Sequence, residues 1–361
     1  MKFSPFDEAA MRRALELAQR GLYSTQPNPR VGAVLARDEE IVGEGWHERA
    51  GEPHAEPIAI RAAGERARGA TAYVTLEPCS HQGRTPPCVD VLLAAGVRRV
   101  VYAVGDPNPR VNGAGAARLK EAGLKVQSGL LEAEASALNA GFLMRMRHRR
   151  PFIRLKTGAS LDGRTALANG ESQWITSEEA RRDGHRWRAR SCAVMIGIGT
   201  LLADNPRLTV RHVDTSRQPL RIVVDRHLQI PLDARVLEGG NALVVTAGPP
   251  DEKAARLMER GIAVLHLPDS EGKVDLAKLM RVLAERELNE VLVESGNRLN
   301  GALLRAGVVD ELIVYLAPHL LGDTARGMFD LGVLTALDQR RELTICDVSR
   351  IGPDLRILAR L

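Results

Sequence analysis

Three donors that sit far apart along the chain, His54, Cys79 and Cys88, have a single chemistry in common, and Glu56 stands two residues after the histidine. One imidazole and two thiolates form the donor set of a tetrahedral zinc that keeps one position for water. Zinc brings the pKa of such a water close to neutrality, so it can add to an electron-poor ring carbon bearing an amino group. Glu56, in the run His54-Ala55-Glu56, can carry the water's proton to the ring nitrogen and the departing ammonia without ligating the metal. The chain must therefore bring these residues together. His54 opens one predicted helix, and Cys79 and Cys88 are placed at or near the start of another, where the helix dipole favours thiolate.

The surrounding pattern alternates helices and strands. Asp7–Arg20 recurs apolar at helical spacing and stops at Gly21. Val31–Leu35 and Ile41–Trp46 flank Asp38-Glu39 as a hairpin. A helix over His54–Ala63, a strand over Ala72–Leu76, a helix over Val89–Ala95 and a strand over Arg98–Val104 follow. Ala114–Ala122 (helix), Leu124–Ser128 (strand) and one helix over Glu132–Met146 complete an α/β sandwich. The charge run Arg145-Met146-Arg147-His148-Arg149-Arg150 and then Pro151 mark a boundary near 148–150, dividing the chain into domains over 1–147 and 151–361.

In the second domain, strands are expected at Phe152–Thr157, Ala193–Gly197, Arg221–Asp225, Ala242–Thr246, Val291–Glu294 and Glu311–Leu316. Helices are expected at Ser177–Arg190, Asp251–Arg260, Asp275–Glu285 and Leu299–Ala306, with Thr176 and Glu179 as a capping box for the first. Strand-to-glycine-to-helix junctions at Gly197-Ile198-Gly199-Thr200 and Ser295-Gly296-Asn297 offer free backbone N–H groups to a phosphate. No Gly-x-Gly-x-x-Gly opens the domain, so the Rossmann fingerprint is absent.

Composition excludes several classes. No run of eighteen apolar residues exists, so no membrane helix is expected, and the N-terminus lacks a secretory core; a cytoplasmic location follows as an expectation. Net charge is +5, but only 3% of residues are aromatic, too few for the stacking that nucleic-acid surfaces use. Small phosphorylated ligands account for the excess of cations. Four cysteines in a chain of 361 residues form no disulfide framework; Cys192 and Cys346 read as buried small hydrophobes. The rival to a catalytic zinc is a structural one, which would take His81 as its fourth ligand.

The pairing of His-x-Glu with two cysteines is that of zinc deaminases acting on nucleobase-like rings, which usually space their cysteines as Pro-Cys-x-x-Cys. Here eight residues intervene. The run from Thr75-Leu76-Glu77-Pro78-Cys79-Ser80-His81 through Gln82-Gly83-Arg84-Thr85-Pro86-Pro87-Cys88, with Pro27-Asn28-Pro29 and Asp106-Pro107-Asn108-Pro109, resembles the bifunctional deaminase–reductase family of riboflavin biosynthesis. The resemblance implies a cytidine-deaminase-like α/β/α sandwich that deaminates a diaminopyrimidinone carrying a ribosyl 5-phosphate. It places Asn28, His47, Arg84, Thr85, Asp106 and Asn108 on the substrate, with Arg84 and His47 as phosphate partners. Asn28 and Asn108, flanked by prolines, are equally suited to holding turns. Pro57 follows Glu56 where the family more often has an apolar residue such as Val; proline is tolerated in a first helical turn.

The similarity continues through essentially the whole chain. Leu155-Lys156, Ser160-Leu161-Asp162-Gly163-Arg164, Gly170-Glu171-Ser172-Gln173-Trp174-Ile175-Thr176, Thr200-Leu201-Leu202-Ala203-Asp204-Asn205-Pro206 and Leu208-Thr209-Val210-Arg211 match the family's reductase half. The resemblance implies a dihydrofolate-reductase-like α/β domain using NADPH to reduce the ribosyl to a ribityl chain. Gly158, Trp174, Thr200, Asp204 and the loop Gly296, Asn297, Arg298, Leu299, Asn300, Gly301 and Ala302 would hold NADPH. Ser172, Arg188, Leu208, Arg211 and Glu294 would line the substrate, the two arginines on its phosphate. Lys156 is a polar candidate near the reducible carbon; a snorkelling strand lysine, an Asp204 that caps Asn205-Pro206 and a core Trp174 are the structural alternatives.

The expected protein is thus a two-step enzyme with one zinc per deaminase site and NADPH. Its partner is a small phosphorylated pyrimidine, not nucleic acid or membrane, and the resemblance implies a homodimer through the reductase half. The alternative is a deaminase whose second domain is a non-reducing assembly scaffold. An RNA-binding protein on a decayed deaminase and a free-nucleoside or tRNA deaminase fit the intact metal pattern and the phosphate-seeking arginines less well.

Overall fold

The structure, a computed structural model, describes residues 3–81 and 86–361, so Arg84 and Thr85 lie outside the described residues. The chain divides into two compact units, Met1–Arg149 and Arg150–Leu361. Among the described residues no helix is long and apolar enough to cross a membrane.

The first unit runs α1 (Pro5–Arg20), β1 (Gly32–Arg37), β2 (Glu40–Trp46), α2 (Ala55–Ala63), β3 (Thr71–Leu76), α3 (Cys88–Ala94), β4 (Arg99–Val104), α4 (Ala114–Glu121), β5 (Lys125–Ser128), α5 (Glu132–Leu138) and α6 (Ala140–His148). Its sheet has the order β2-β1-β3-β4-β5, antiparallel from β2 to β3 and parallel from β3 to β5. Helix α1 starts with a reciprocal cap: Ser4 Oγ accepts the Asp7 N–H at 3.1 Å, and Asp7 Oδ2 accepts the Ser4 N–H at 2.9 Å. Asp38 and Glu39 turn the β1–β2 hairpin with φ of 52° and 59°. Gly45 on β2 lets α2 lie close, since a Cβ there would stand 2.4 Å from the Ala55 carbonyl oxygen. That contact fixes the first turn of α2, which carries the site. Helices α2, α3 and α4 touch in sequence, as do α1, α5 and α6, and the two groups sandwich the sheet.

The expected single helix over Glu132–Met146 is interrupted at Asn139, whose φ is −108°. Its buried amide explains the interruption: Oδ1 accepts the Arg30 N–H and Nδ2 donates to the Arg30 carbonyl, both at 2.8 Å. The side chain completes the hydrogen bonding of a buried peptide from a distant loop.

The second unit runs β6 (Phe152–Ser160), β7 (Arg164–Ala166), α7 (Glu178–Arg190), β8 (Ala193–Gly197), α8 (Ile198–Asp204), β9 (Leu220–Val224), β10 (Ala242–Thr246), α9 (Glu252–Glu259), β11 (Ala263–His266), α10 (Leu276–Glu285), β12 (Glu290–Val293), α11 (Asn297–Arg305), β13 (Glu311–Ala317), β14 (Arg326–Gly327), β15 (Thr344–Ile351) and β16 (Asp354–Arg360). The order of its nine-stranded sheet is β11-β10-β9-β8-β12-β6-β13-β16-β15, parallel up to β13 and closed by an antiparallel hairpin. Ala193 and Met195 enter one apolar cluster while Val194 and Ile196 enter another, and β10 and β12 alternate in the same way. Strands buried on both faces are apolar throughout, which is why the inner ones stand out in the sequence.

Several expectations shift here. Ser177, not Thr176, caps α7, its Oγ accepting the Ala180 N–H at 3.2 Å. The hairpin β15–β16 was not expected as such, and Cys346 on β15 is exposed rather than buried; Cys192 is buried. Arg150, the last residue of the basic run, is taken up by Asp310 in a two-pronged pair at 2.6 and 2.8 Å.

Candidate active sites

In the first unit the metal pattern closes into one group. His54 is the N-cap of α2, Glu56 its second residue and Cys88 the first residue of α3. Cys79 lies on the segment after β3, not at a helix start. It nonetheless uses one, because the Cys88 N–H donates to Cys79 Sγ at 3.3 Å. His54 Nδ1 is 3.2 Å from Cys88 Sγ and 3.6 Å from Cys79 Sγ, and the three ligand atoms lie within 4.8 Å of one another. A hydrogen bond from the Cys88 thiol is the largest influence lowering the Cys79 pKa, to about 4, and the same bond holds Cys88 protonated. Donor set, spacing and a ready thiolate fit zinc, with Nδ1 as the imidazole ligand.

Glu56 is 3% exposed, and its Oε2 has no hydrogen-bond partner among the described residues. Burial raises its pKa. An unpaired buried oxygen beside three metal donors is what a base for a water needs and a structural site does not. His81 stands outside the donor group, so the four-ligand structural alternative loses its candidate among the described residues. Pro57 sits third in α2, where no backbone donor is lost, and Glu56 stays buried.

His47 is anchored at both ring nitrogens. Its Nδ1 donates to the Pro53 carbonyl at 3.0 Å, and its Nε2 meets the Asn28 amide nitrogen at 3.0 Å. Both ring nitrogens are occupied in the neutral form, and burial lowers the pKa further. The same contact at Nε2 orients Asn28. Burial pushes Asp106 up to about 6, and its Oδ1 accepts the Asn108 N–H at 2.8 Å. Asn108 Oδ1 accepts the Arg110 N–H at 3.1 Å, so this side chain does hold a turn.

The second unit contains a cleft of about 2000 Å³. It opens at the carboxyl ends of parallel strands, the usual ligand position in such sheets. Lys156 and Gly158 from β6, Thr200 and Asp204 from α8, and Glu294, Gly296, Asn297, Arg298, Leu299 and Ala302 around the start of α11 line it, with Ser172, Trp174, Arg188, Leu208 and Arg211. Asn300 and Gly301 do not line it. Asn300 donates to the Ser295 and Met328 carbonyls, and Gly301 lies against Asp330, whose oxygen a Cβ would meet at 1.9 Å. Gly296, without a side chain to cap α11, leaves the helix's first N–H groups for an anion; Thr200 Oγ1 accepts its own N–H at 3.1 Å.

Trp174 is 69% exposed with the Arg181 guanidinium 4.5 Å from its ring, so it is not a core residue. Asp204 accepts from the Gln173 amide at 2.9 Å. Burial lowers the pKa of Lys156, with Glu294 opposing.

Arg188, which lines the cleft, is engaged by a carboxylate. Its Nε and Nη2 bind the two oxygens of Glu294 at 2.6 and 3.0 Å, and its Nη1 donates to the Thr209 carbonyl at 3.1 Å. Among the described residues no carboxylate pairs with Arg211; burial and the charges of Arg188, Arg207 and Arg235 lower its pKa. An anion there would relieve that repulsion. Its backbone N–H is held at 3.0 Å by Nδ1 of His185, a residue the sequence pattern left unmarked. Burial and the neighbouring arginines push His185 down to about 4, keeping it a neutral acceptor.

Comparison with known proteins accords with these sites. Residues 4–104 match the model described as cytidine and deoxycytidylate deaminase zinc-binding region, and residues 151–357 match the RibD C-terminal domain. Riboflavin biosynthesis protein RibD of Escherichia coli K12 is 50% identical over 97% of this chain and 98% of its own. That of Aquifex aeolicus is 42% identical over 97% of each chain. The solved structure of Acinetobacter baumannii RibD superposes with a TM-score of 0.92 at 44% identity, covering 98% of both chains. A zinc-binding deaminase half and a reductase half thus define a bifunctional enzyme. Zinc and NADPH are its cofactors. The chain belongs to the RibD family of riboflavin biosynthesis, and a non-reducing scaffold is not the favoured reading of its second half.

Proposed function

We propose that the protein deaminates 2,5-diamino-6-ribosylamino-4(3H)-pyrimidinone 5′-phosphate and then reduces its ribosyl group to ribityl. The observation that carries the first step is the unpaired buried Oε2 of Glu56 beside His54, Cys79 and Cys88. Zinc held by those three residues supplies Lewis acidity that makes a water nucleophilic at neutral pH. Glu56 Oε2 would carry one proton from the attacking water to the ring nitrogen, then the second, from the hydroxyl now on the carbon, to the amino group that leaves as ammonia. Asn28, oriented by His47, presents donor and acceptor to the pyrimidine edge, and Asp106 and Asn108 hold the facing turn.

The cleft of the second unit would hold NADPH, which would provide the hydride that reduces the ring-opened ribosyl imine. Backbone N–H groups at the start of α11 bind the cofactor's phosphates, and Arg211 binds the substrate's. Lys156 stands in the cleft as the polar group near the reducible carbon. Positioning supplies the rate enhancement. The assignment of domains over 1–147 and 151–361 follows this division of labour.

The proposed assembly is a homodimer through the reductase half. The edge strand β15 exposes Ile345 and Val348, at 63% and 56%, and Val333 and Leu337 of the same unit are exposed at 90% and 84%. An edge strand with exposed apolar side chains is a template for pairing with another copy. Four cysteines with no disulfide among the described residues suit a reducing cytoplasm.

The test is one assay with purified, zinc-loaded protein and the diaminopyrimidinone substrate, run with and without NADPH. The expected outcome is aminouracil without NADPH and ribityl product in step with NADPH oxidation when it is added. Zinc-loaded protein that releases no ammonia would refute the proposal.

A further inference from the structure

We propose that Glu77 is a positioning residue of the deaminase site, its carboxylate joining the segment that carries Cys79 to the turn that carries Asp106 and Asn108. The proposal rests on the reading that this turn contacts the pyrimidine.

Glu77 follows β3 and is 4% exposed. Its Oε2 accepts the N–H of Asp106 at 3.3 Å and that of Gly113 at 3.1 Å, while Oε1 accepts the N–H of Ala116 at 3.1 Å. Its own N–H donates to the Val104 carbonyl at 2.9 Å. Gly113 is the N-cap of α4, has φ of 86° and offers no side-chain cap. Glu77 supplies that cap from another part of the chain, with its charge at the positive end of the helix. The same helix turn lies directly on the metal segment, since a Cβ on Gly115 would meet the Pro78 carbonyl oxygen at 2.0 Å.

One residue separates Glu77 from Cys79. A single buried carboxylate therefore sets where the Asp106 turn stands relative to a thiolate that would hold the metal. Asp106 in turn fixes Asn108 through its 2.8 Å bond. All three contacts to Glu77 are N–H donors, so only an acceptor-only group satisfies them; an amide would turn its NH₂ toward at least one.

The test uses the full chain with Glu77→Gln, which preserves shape, and Asn108→Ala in parallel. Glu77→Gln is expected to raise the deaminase KM by about tenfold or more, the effect of one unsatisfied buried donor, while kcat changes far less. Zinc content and NADPH-dependent reduction stay as in the wild type, and the amides of Asp106, Gly113 and Ala116 exchange hydrogen faster. Asn108→Ala is expected to raise KM as well. If it raises KM and Glu77→Gln does not, the proposal is overturned and the reading of the turn survives. If Asn108→Ala leaves KM unchanged, that reading fails and the proposal falls with it. Loss of zinc and kcat together in Glu77→Gln would assign Glu77 to the metal segment alone, and overturns it too.

Discussion

Replacing Glu294 by Gln would leave the Arg188 guanidinium in place with its charge uncompensated. Both side chains are only 14% exposed, and they share two hydrogen bonds at 2.6 and 3.0 Å. Burial alone would raise the pKa of Glu294, but the charge and hydrogen bonds of Arg188 more than reverse this, bringing it from 4.5 to about 2. A folded-state pKa below the unfolded one means stability that is full above about pH 4.5 and lost as pH falls through about 2. A drop of this size corresponds to roughly 3 kcal/mol at neutral pH, in the range for breaking a buried ion pair from one side. The linkage leaves about 2 kcal/mol of it at about pH 3.5. Urea unfolding followed by fluorescence of Trp187, which lies in the second unit, measures both numbers. Glu294→Gln is expected to lower stability by about 3 kcal/mol at pH 7 and to narrow the gap to wild type on acidification. A loss below about 1 kcal/mol, with the wild-type pH slope retained, would mean that Glu294 does not hold Arg188 and that the guanidinium is free for phosphate.

Three further outcomes follow from the sites. Glu56→Gln should keep zinc at the wild-type level, because Glu56 is outside the ligand set, yet lose roughly 10²–10⁴-fold in deamination; metal analysis and ammonia release check it. Arg211→Ala should raise the reductase KM by about 10–100-fold with kcat little changed, the cost of a charge-assisted phosphate contact, whereas Arg188→Ala should first lower urea stability. Ile345→Lys, placing a charge on the exposed edge of β15, should shift the protein to monomer in sedimentation analysis; an unchanged mass would remove that edge from the interface.

Much of this site is legible in sequence because its chemistry is local. His54 and Glu56 share one helical turn, and the zinc donor set needs no long-range inference beyond convergence. The inner strands of the second unit are equally plain, their apolar residues coming in near-continuous runs. What escapes is set by groups distant in the chain. Nothing near Asn139 announces that its amide will complete the peptide of Arg30 and interrupt a helix. Arg188 offers the same guanidinium to a phosphate or to Glu294, and only the fold shows the carboxylate at 2.6 Å. His47 presents as a free imidazole until Pro53 and Asn28 occupy both nitrogens. The hairpin β15–β16 lacks the buried alternation that marks a strand, as most of β15 faces outward, and Cys346 is exposed for the same reason. Gly301, a natural phosphate-loop glycine in sequence, is there for close approach to Asp330.

The closeness of Cys79 and Cys88 also decides how the enzyme ages. With the metal removed, the sulfurs of Cys79 and Cys88 stand within 4.8 Å of each other and of the His54 donor. A peroxide would oxidise Cys79 to a sulfenic acid, and Cys88 would displace water from it to close a disulfide. The oxidised pair has no thiolate left to offer, so added zinc would not restore deamination until a thiol reductant had reopened the bond. Storage in air after chelation would silence the first reaction while sparing the second, whose cleft contains no cysteine among its lining residues.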